Sequence, residues 1–213
     1  KEFLNQQADT RHLRTEIISA HRGTIFDRNG EPLAISTPVD SIWVNPRKFA
    51  SAVDDIPRLA RALDLTAETL LHRVTRSMGK EFLYLKRHVS PANAQQVMAM
   101  KLPGINVQRE YRRYYPASEV TGHLIGFTNI DDEGQEGLEL AANNWLSGES
   151  GAKRVLKDRL GRSIENVESI RPPRPGKDLH ISIDLRLQYL AYRTLKAAVK
   201  THNARSGSVV IID

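Results

Sequence analysis

The sequence RGTIFDRNGEPLAIS, residues 22–36, places a tight-turn signal between two short apolar runs. Asp27-Arg-Asn-Gly30 is the turn, and the residues on either side of it alternate or cluster as strand residues do. The stretch therefore predicts a β-hairpin.

Around this hairpin, strand and helix signals alternate without a steady βαβ rhythm, which predicts an α+β fold. Asp55, Ser90 and Asp184 are expected to cap helices. Helices are predicted over residues 55–64, 66–76, 90–100, 136–146 and 184–202. Strands are predicted over residues 41–45, 82–85, 105–113, 154–157, 163–167, 179–183 and 208–213. The inward faces of the last two helices are expected to carry Leu138, Ala141, Ala142 and Trp145, and Leu187, Leu190, Ala191, Leu195 and Ala198.

The bulk composition is that of a folded protein with a basic surface. Of 213 residues, 40% are hydrophobic and 26% are charged, and the formal net charge is +6. Such a surface suits nucleic acid, an anionic membrane face or an acidic polymer, and the even spread of charge does not choose among them. The chain has no cysteine, which excludes a disulfide framework, a thiolate metal site and a cysteine nucleophile.

Two Ser-x-x-Lys matches occur, at Ser77–Lys80 and at Ser150–Lys153. In penicillin-recognising enzymes this spacing sets a lysine one helical turn from a serine nucleophile. Ser77 lies at the predicted end of a helix and Ser150 in a Ser-Gly-Glu-Ser-Gly loop, so we interpret both matches as coincidental.

Metal sites and phosphate-binding loops have no convincing signal. Residues 129–134 imitate the start of a calcium loop, but its twelfth position is Leu140, where a bidentate Glu is required. The seven histidines lack ligand spacing, and no glycine-rich phosphate loop is present. No cofactor or metal is therefore expected.

The stretch from Arg109 to Tyr115 mixes arginine with tyrosine, a combination that can grip phosphate and stack bases. The same residues also serve as cross-strand partners in ordinary sheets. A basic nucleic-acid-binding module is therefore kept as the alternative function.

Domain signals come from residues 171–178, which contain Arg171-Pro-Pro-Arg-Pro-Gly176 and predict a linker. We expect residues 1–21 to be a membrane-proximal linker, 22–170 one domain, and 179–213 the start of another. The chain begins with Lys1 and has no apolar run near the ~20 residues that span a bilayer. We expect an excised piece whose membrane anchor lies outside it.

Several stretches together resemble class B penicillin-binding proteins. Arg22 to Gly30 is similar to their first N-terminal motif, Arg112-Arg-Tyr-Tyr-Pro116 to the second, and Gly122 to Thr128 with Gly134 to Glu139 to the third. Lys157 to Arg162 and Ile183 to Gln188 continue the pattern in order. Residues 32–39 and 42–46 resemble the division (septal) branch.

The resemblance implies an elongated pedestal of small mixed subdomains, followed by the first strand and helix of a transpeptidase domain. The parent would be a penicillin-sensitive serine D,D-transpeptidase that cross-links peptidoglycan stem peptides at the division septum. It would be anchored in the inner membrane and face the periplasm. Its expected partners are a SEDS-type glycan polymerase and single-pass division scaffold proteins, with no nucleic acid.

The resemblance gives this chain no catalytic residue, because the three catalytic elements of the family would follow Asp213. It does imply a set of structural or docking residues. These are Arg22, Gly23, Asp27, Arg28, Gly30, Arg112, Arg113, Tyr115, Pro116, Gly122, Gly126, Gly134, Glu136, Gly137, Glu139, Asp158, Arg159 and Gly161.

Overall fold

Residues 22–36 form the predicted hairpin in a computed structural model, which describes residues 13–157 and 163–212. Strand β2 (Ile25–Phe26) pairs antiparallel with β3 (Pro32–Val44). The backbone N–H of Asp27 donates to the carbonyl of Glu31 at 2.9 Å and closes the turn. Gly30 has a φ of 84°, in the left-handed region that favours glycine.

The α+β fold class is confirmed. Besides β2 and β3, the strands are β1 (Leu13–Ile18), β4 (Leu83–Val89), β5 (Ile105–Tyr114), β6 (Gly151–Lys157), β7 (Ser163–Arg171) and β8 (Leu179–His180). The helices are α1 (Pro46–Phe49), α2 (Ile56–Ala62), α3 (Ala67–Arg76), α4 (Pro91–Ala99), α5 (Gly122–Ile125), α6 (Gly137–Ala141), α7 (Asn143–Leu146) and α8 (Leu185–Thr201). Short 3-10 helices cover Ala50–Asp55 and Ser118–Val120.

The chain divides into two compact units. The first contains Pro38–Arg112 and Glu149–Arg174 together with residues 13–20. The second contains His21–Thr37, Arg113–Gly148 and the described residues from Pro175 onward. Each unit therefore draws on distant parts of the sequence.

The first unit packs α1 to α4 against β3, β4 and β5. Thr66 and Ser90 cap α3 and α4 with their hydroxyl groups, as short polar residues before a helix do. Leu70 and Val74, four residues apart on α3, are buried in a core with Ile42, Val44, Phe49, Ile56, Leu59, Leu85 and Val97. This unit also holds an antiparallel sheet in the order β1-β6-β7, which confirms the predicted pairing of residues 154–157 with 163–167, while the predicted turn between them lies outside the described residues.

The second unit has its own apolar core of Ile25, Leu33, Ala34, Ile125 and Leu146. Strand β8 adds to β2 in parallel, so that Ile25 lies opposite Leu179. Asp184 caps α8 by accepting from the backbone N–H groups of Arg186 and Leu187, as predicted. None of the helices in the described ranges has the length and apolar content needed to cross a bilayer.

Two predicted helix details are wrong. The helix over residues 136–146 is broken at Ala142 into α6 and α7, and its expected core residue Trp145 is 50% exposed while Glu139 is fully buried. A buried charge network, described below, holds this break. Asp55 precedes α2 but makes no side-chain cap, because its backbone is already helical after the 3-10 turn.

Two predictions about the last residues are also wrong. The predicted strand over 208–213 is absent in 208–212, where Val210 and Ile212 are 79% and 86% exposed and no described strand lies beside them. The stripe on α8 is not inward: no residue of α8 is buried, and Leu190 is 57% exposed. Ala191 and Leu195 are only partly buried, and Gly207 lies close to the side chain of Leu195.

Candidate functional site

The second unit brings together charged residues from all three motifs of the sequence. The carboxylate of Glu139 is fully buried and accepts from Nε of Arg22 at 2.6 Å and from Nε of Arg113 at 2.7 Å, one oxygen for each guanidinium. Both arginine side chains are only 1% exposed. One carboxylate therefore joins segments that lie more than 110 residues apart in the chain.

Arg22 uses its remaining donors on the backbone and side chains around α6 and α7. Its Nη2 donates to the carbonyl of Glu139 at 2.7 Å. Its Nη1 donates to Oδ1 of Asn143 and Oγ of Ser147, each at 2.8 Å. A lysine could not replace this planar group, because it lacks the fixed fork of five donors.

This network is structural chemistry. Arginine stays charged in proteins, so Arg22 and Arg113 need the counter-charge of Glu139 to be buried. The hydrogen bonds of Arg113 are not all filled, because its buried Nη2 has no partner among the described residues. Neither guanidinium faces a cleft that a substrate could enter, since both are almost fully buried. The arrangement can hold a fold together, but it offers no nucleophile or proton-transfer group to a ligand.

Asp132 lies beside this network, and its pKa is raised toward neutral pH. Burial raises the pKa of Asp132 from 3.8 to about 6, and the charges of Arg113 and Arg22 oppose that rise while Glu139 adds to it. Its Oδ1 is buried without a hydrogen bond in the described part of the chain. Its φ of 64° is one that aspartate and asparagine tolerate.

The glycines of the third motif allow close backbone approach. A Cβ on Gly126 would lie 1.9 Å from the carbonyl oxygen of Glu136, and one on Gly134 would lie 2.0 Å from that of Glu139. Any side chain at either place would push α6 away from its loop. Gly122 carries no such constraint, because a Cβ there would meet nothing within 4 Å.

Asp27 of the first motif organises the hairpin and the start of α8. Its Oδ1 accepts from the backbone N–H groups of Asn29 at 2.7 Å and Glu31 at 2.8 Å, and its Oδ2 from that of Leu185 at 3.0 Å. Burial alone would raise the pKa of Asp27, but these hydrogen bonds outweigh it and lower the pKa from 3.8 to about 2.

The other predicted site residues divide by exposure. Gly23 is buried, and a Cβ there would lie 2.0 Å from the carbonyl oxygen of Lys177. Tyr115 is half-buried, and burial and the charge of Glu139 raise its pKa. Gly137 has a φ of 58° and packs against the backbone of Leu124. Arg28, Arg112, Pro116 and Glu136 are exposed, whereas Asp158, Arg159 and Gly161 lie outside the described residues.

A second buried carboxylate, which sequence reasoning missed, lies in the first unit. Glu110 accepts from Oγ of Ser41 at 2.5 Å, from the hydroxyl of Tyr84 at 2.7 Å and from Nε of Arg87 at 3.1 Å. Burial opposes ionisation, but the three hydrogen bonds lower the pKa of Glu110. Its partners come from β3 and β4, so no local pattern in the sequence pointed to it.

The alternative sites gain little from the geometry. Ser77 is buried at the end of α3 while Lys80 is exposed, and Lys153 lies in β6, not one turn along a helix from Ser150. Within residues 13–157 and 163–212, no three His, Asp or Glu side chains are grouped as metal ligands. In the basic stretch, Arg109 pairs with Asp40 at 2.7 Å, and Arg113 is buried against Glu139.

Replacing the central carboxylate tests the network. Glu139→Gln keeps the side-chain volume but leaves two buried guanidinium groups without a counter-charge, so we expect the free energy of unfolding to fall by about 3–5 kcal/mol. Glu136→Gln, three residues away and exposed, is the matched control and should change it by less than about 0.5 kcal/mol. Urea unfolding measures both, and equal stability of the two variants would contradict the assignment.

The pH dependence of Asp132→Asn tests its burial. Because the folded pKa of about 6 lies above the reference value of 3.8, the stability that Asp132 contributes is present below pH 3.8 and is lost as pH rises through 6. Asparagine does not titrate, so the variant should gain stability relative to the wild type as pH rises from about 4 to 8. Solvent screening of this partly exposed group limits the gain to about 1–2 kcal/mol. A difference independent of pH would contradict the burial of this carboxylate.

Comparison with known proteins gives the chain a family. The family described as Penicillin-binding Protein dimerisation domain matches residues 17–181. The chain is 47% identical over 212 residues to the probable peptidoglycan D,D-transpeptidase PbpC of Pseudomonas aeruginosa, covering 100% of this chain and 38% of the relative. It is 43% identical over 217 residues to peptidoglycan D,D-transpeptidase FtsI of Escherichia coli K12, covering 100% and 37%. It thus spans less than two-fifths of these curated relatives.

A solved structure agrees on the fold. The complex between Penicillin-Binding Protein (PBP2) and MreC from Helicobacter pylori matches with a TM-score of 0.65 and 23% identity, covering 87% of this chain and 39% of that one. At that identity the likeness shows the fold alone. The family match covers most of the chain and includes Arg22, Arg113 and Glu139. The chain therefore belongs to the penicillin-binding protein dimerisation domain family, as its resemblance to class B penicillin-binding proteins indicated.

Proposed function

We propose that this chain is the non-catalytic pedestal of a division-type peptidoglycan D,D-transpeptidase, and that it supports and docks the parent enzyme. The observation that carries the proposal is the buried network of Arg22, Arg113 and Glu139. Each of the three motifs contributes one charged residue to this network, and the three bind one another inside the second unit. A module built in this way presents a rigid support instead of a reacting group.

The parent's reaction belongs to the rest of the protein. In a D,D-transpeptidase a serine attacks a D-Ala-D-Ala stem peptide, releases the last D-Ala and passes the acyl group to an amine of a neighbouring stem. β-Lactams acylate the same serine. The names of the relatives support this activity for the parent. We assign no residue of the present chain to the reaction.

The proposed setting is the periplasmic side of the inner membrane at the division septum. The parent would be held there by a helix outside these 213 residues, beside a SEDS-type glycan polymerase and single-pass scaffold proteins. The Helicobacter pylori match, a complex with MreC, supports a protein partner for the fold. Phe127 in the third motif, and Ile130 and Leu140 next to it in sequence, are each more than half exposed and offer apolar surface for docking. The domain boundaries at 22–170, 171–178 and 179–213 stay predictions.

The nucleic-acid alternative has less support, because two arginines of its basic stretch already pair with carboxylates. A labelled oligonucleotide titrated at low salt would detect phosphate contacts if they formed.

Labelling with a fluorescent penicillin tests the division of labour between this chain and its parent. We expect the full-length parent to form a stoichiometric covalent adduct and the 213-residue chain to form none. Ser77→Ala and Ser150→Ala variants of the chain are the controls for the two Ser-x-x-Lys matches. A stoichiometric adduct on the chain that either substitution removes would contradict the non-catalytic assignment, and a parent without an adduct would contradict the transpeptidase.

A further inference from the structure

A surface cleft in the first unit lies between α2 and α4. Its volume is about 720 Å³, within the range of roughly 300–1,000 Å³ typical of small-ligand sites. Arg58 and Arg61 line it from α2, and Asn93 and Gln96 line it from α4. Each pair is three residues apart, a spacing that puts both side chains on one face of a helix.

The polar side chains of the cleft are available to a ligand. Arg61 donates through Nε to the carbonyl of Pro57 at 3.3 Å, a bond that does not use its terminal nitrogens. In the described part of the chain, the guanidinium of Arg58 and the side-chain amide of Gln96 have no hydrogen-bond or ion-pair partner. The cleft thus combines two guanidinium groups with two amides, which can both donate and accept.

The single acidic residue in the lining does not cancel this charge. Asp64 also lines the cleft, where its exposed carboxylate lies 3.9 Å from Nζ of Lys86, and one carboxylate against two guanidinium groups leaves the lining with an excess of positive charge. Met100 and two alanines supply the apolar part of the wall. A guanidinium group favours a planar carboxylate, which it can bind in bidentate fashion. The apolar part of the wall suits a ligand with small side chains.

We infer that this cleft binds the carboxylate end of a short peptide with small side chains, with Arg58 and Arg61 holding the carboxylate. The source of that peptide rests on the proposed function: an uncross-linked stem ends in D-Ala-D-Ala. That end offers one free carboxylate, two methyl groups and peptide amides. These match the guanidinium groups, the apolar wall, and the amides of Asn93 and Gln96. The cleft would thus hold stem peptides by their free carboxylate end.

The test is an NMR titration of the 213-residue chain with diacetyl-Lys-D-Ala-D-Ala at fixed ionic strength. The same peptide with a C-terminal amide is the ligand control, because it differs only in the missing charge. Arg58→Ala/Arg61→Ala is the test variant. Arg76→Ala/Lys80→Ala is the matched control, because it removes the same two charges from exposed positions outside the cleft lining.

We expect saturable binding to the wild type and, within about twofold, to the Arg76/Lys80 variant. Binding should weaken at least about tenfold in the Arg58/Arg61 variant and for the amidated peptide, the loss expected when about 1.4 kcal/mol of a charge-assisted pair is removed. No saturable binding, equal binding of the amidated peptide, or equal weakening in both double variants would overturn the inference.

The outcome is separable from that of the proposed function. If the parent is labelled by penicillin but the 213-residue chain does not bind the peptide, only the cleft inference is wrong. If the chain binds the peptide but the parent is not labelled, the proposed transpeptidase function is wrong, and the cleft is still a carboxylate-binding site.

Discussion

The second unit depends on one fully buried carboxylate, that of Glu139, placed between two buried guanidinium groups. Two arginines and one glutamate leave water together, which costs several kcal/mol for each ion unless every donor and acceptor is filled. Arg22 meets that condition through the carbonyl of Glu139 and the side chains of Asn143 and Ser147. Replacing Glu139 would leave two buried guanidinium groups without a counter-charge, so the segments that carry Arg22 and Arg113 both depend on this one carboxylate. This requirement makes the network a specificity device as well as a source of stability.

The same constraint explains the neighbouring irregularities. Glu139 lies on the short helix α6, and Gly134 and Gly137 permit the close backbone contacts around it. The helix breaks at Ala142, which lets Asn143 and Ser147 reach Arg22. Asp132 is drawn into the same partly buried surroundings, where burial raises its pKa. The helix break at Ala142 thus goes together with the hydrogen bonds that Arg22 donates to Asn143 and Ser147.

Sequence patterns predicted the parts of the fold that depend on local chemistry. The Asp27 turn and the Ser90 and Asp184 caps are each determined by a few adjacent residues, and each was found. The motif residues were also identified, but not how they combine, because the contact of Arg22 with Glu139 spans 117 positions. Burial of Glu139 in place of Trp145 could not be derived from helical periodicity, which treats a glutamate as exposed. The predictions of an inward stripe on α8 and of a strand over 208–212 were wrong for a different reason. A strand needs a neighbouring strand for its backbone hydrogen bonds, and an apolar helix face is buried only against another element.

Arg22, Arg113 and Glu139 stabilise the second unit as a group, and the rest of the interpretation depends on this coupling. The most direct test is the unfolding free energy of Arg22→Met, Arg113→Met and Glu139→Gln, measured singly and combined. Coupled groups are non-additive, so the triple variant should be more stable than the sum of the single losses predicts, by at least about 2 kcal/mol. If the single losses in unfolding free energy add up to the loss of the triple variant within about 0.5 kcal/mol, the three charges act independently and the claim is contradicted.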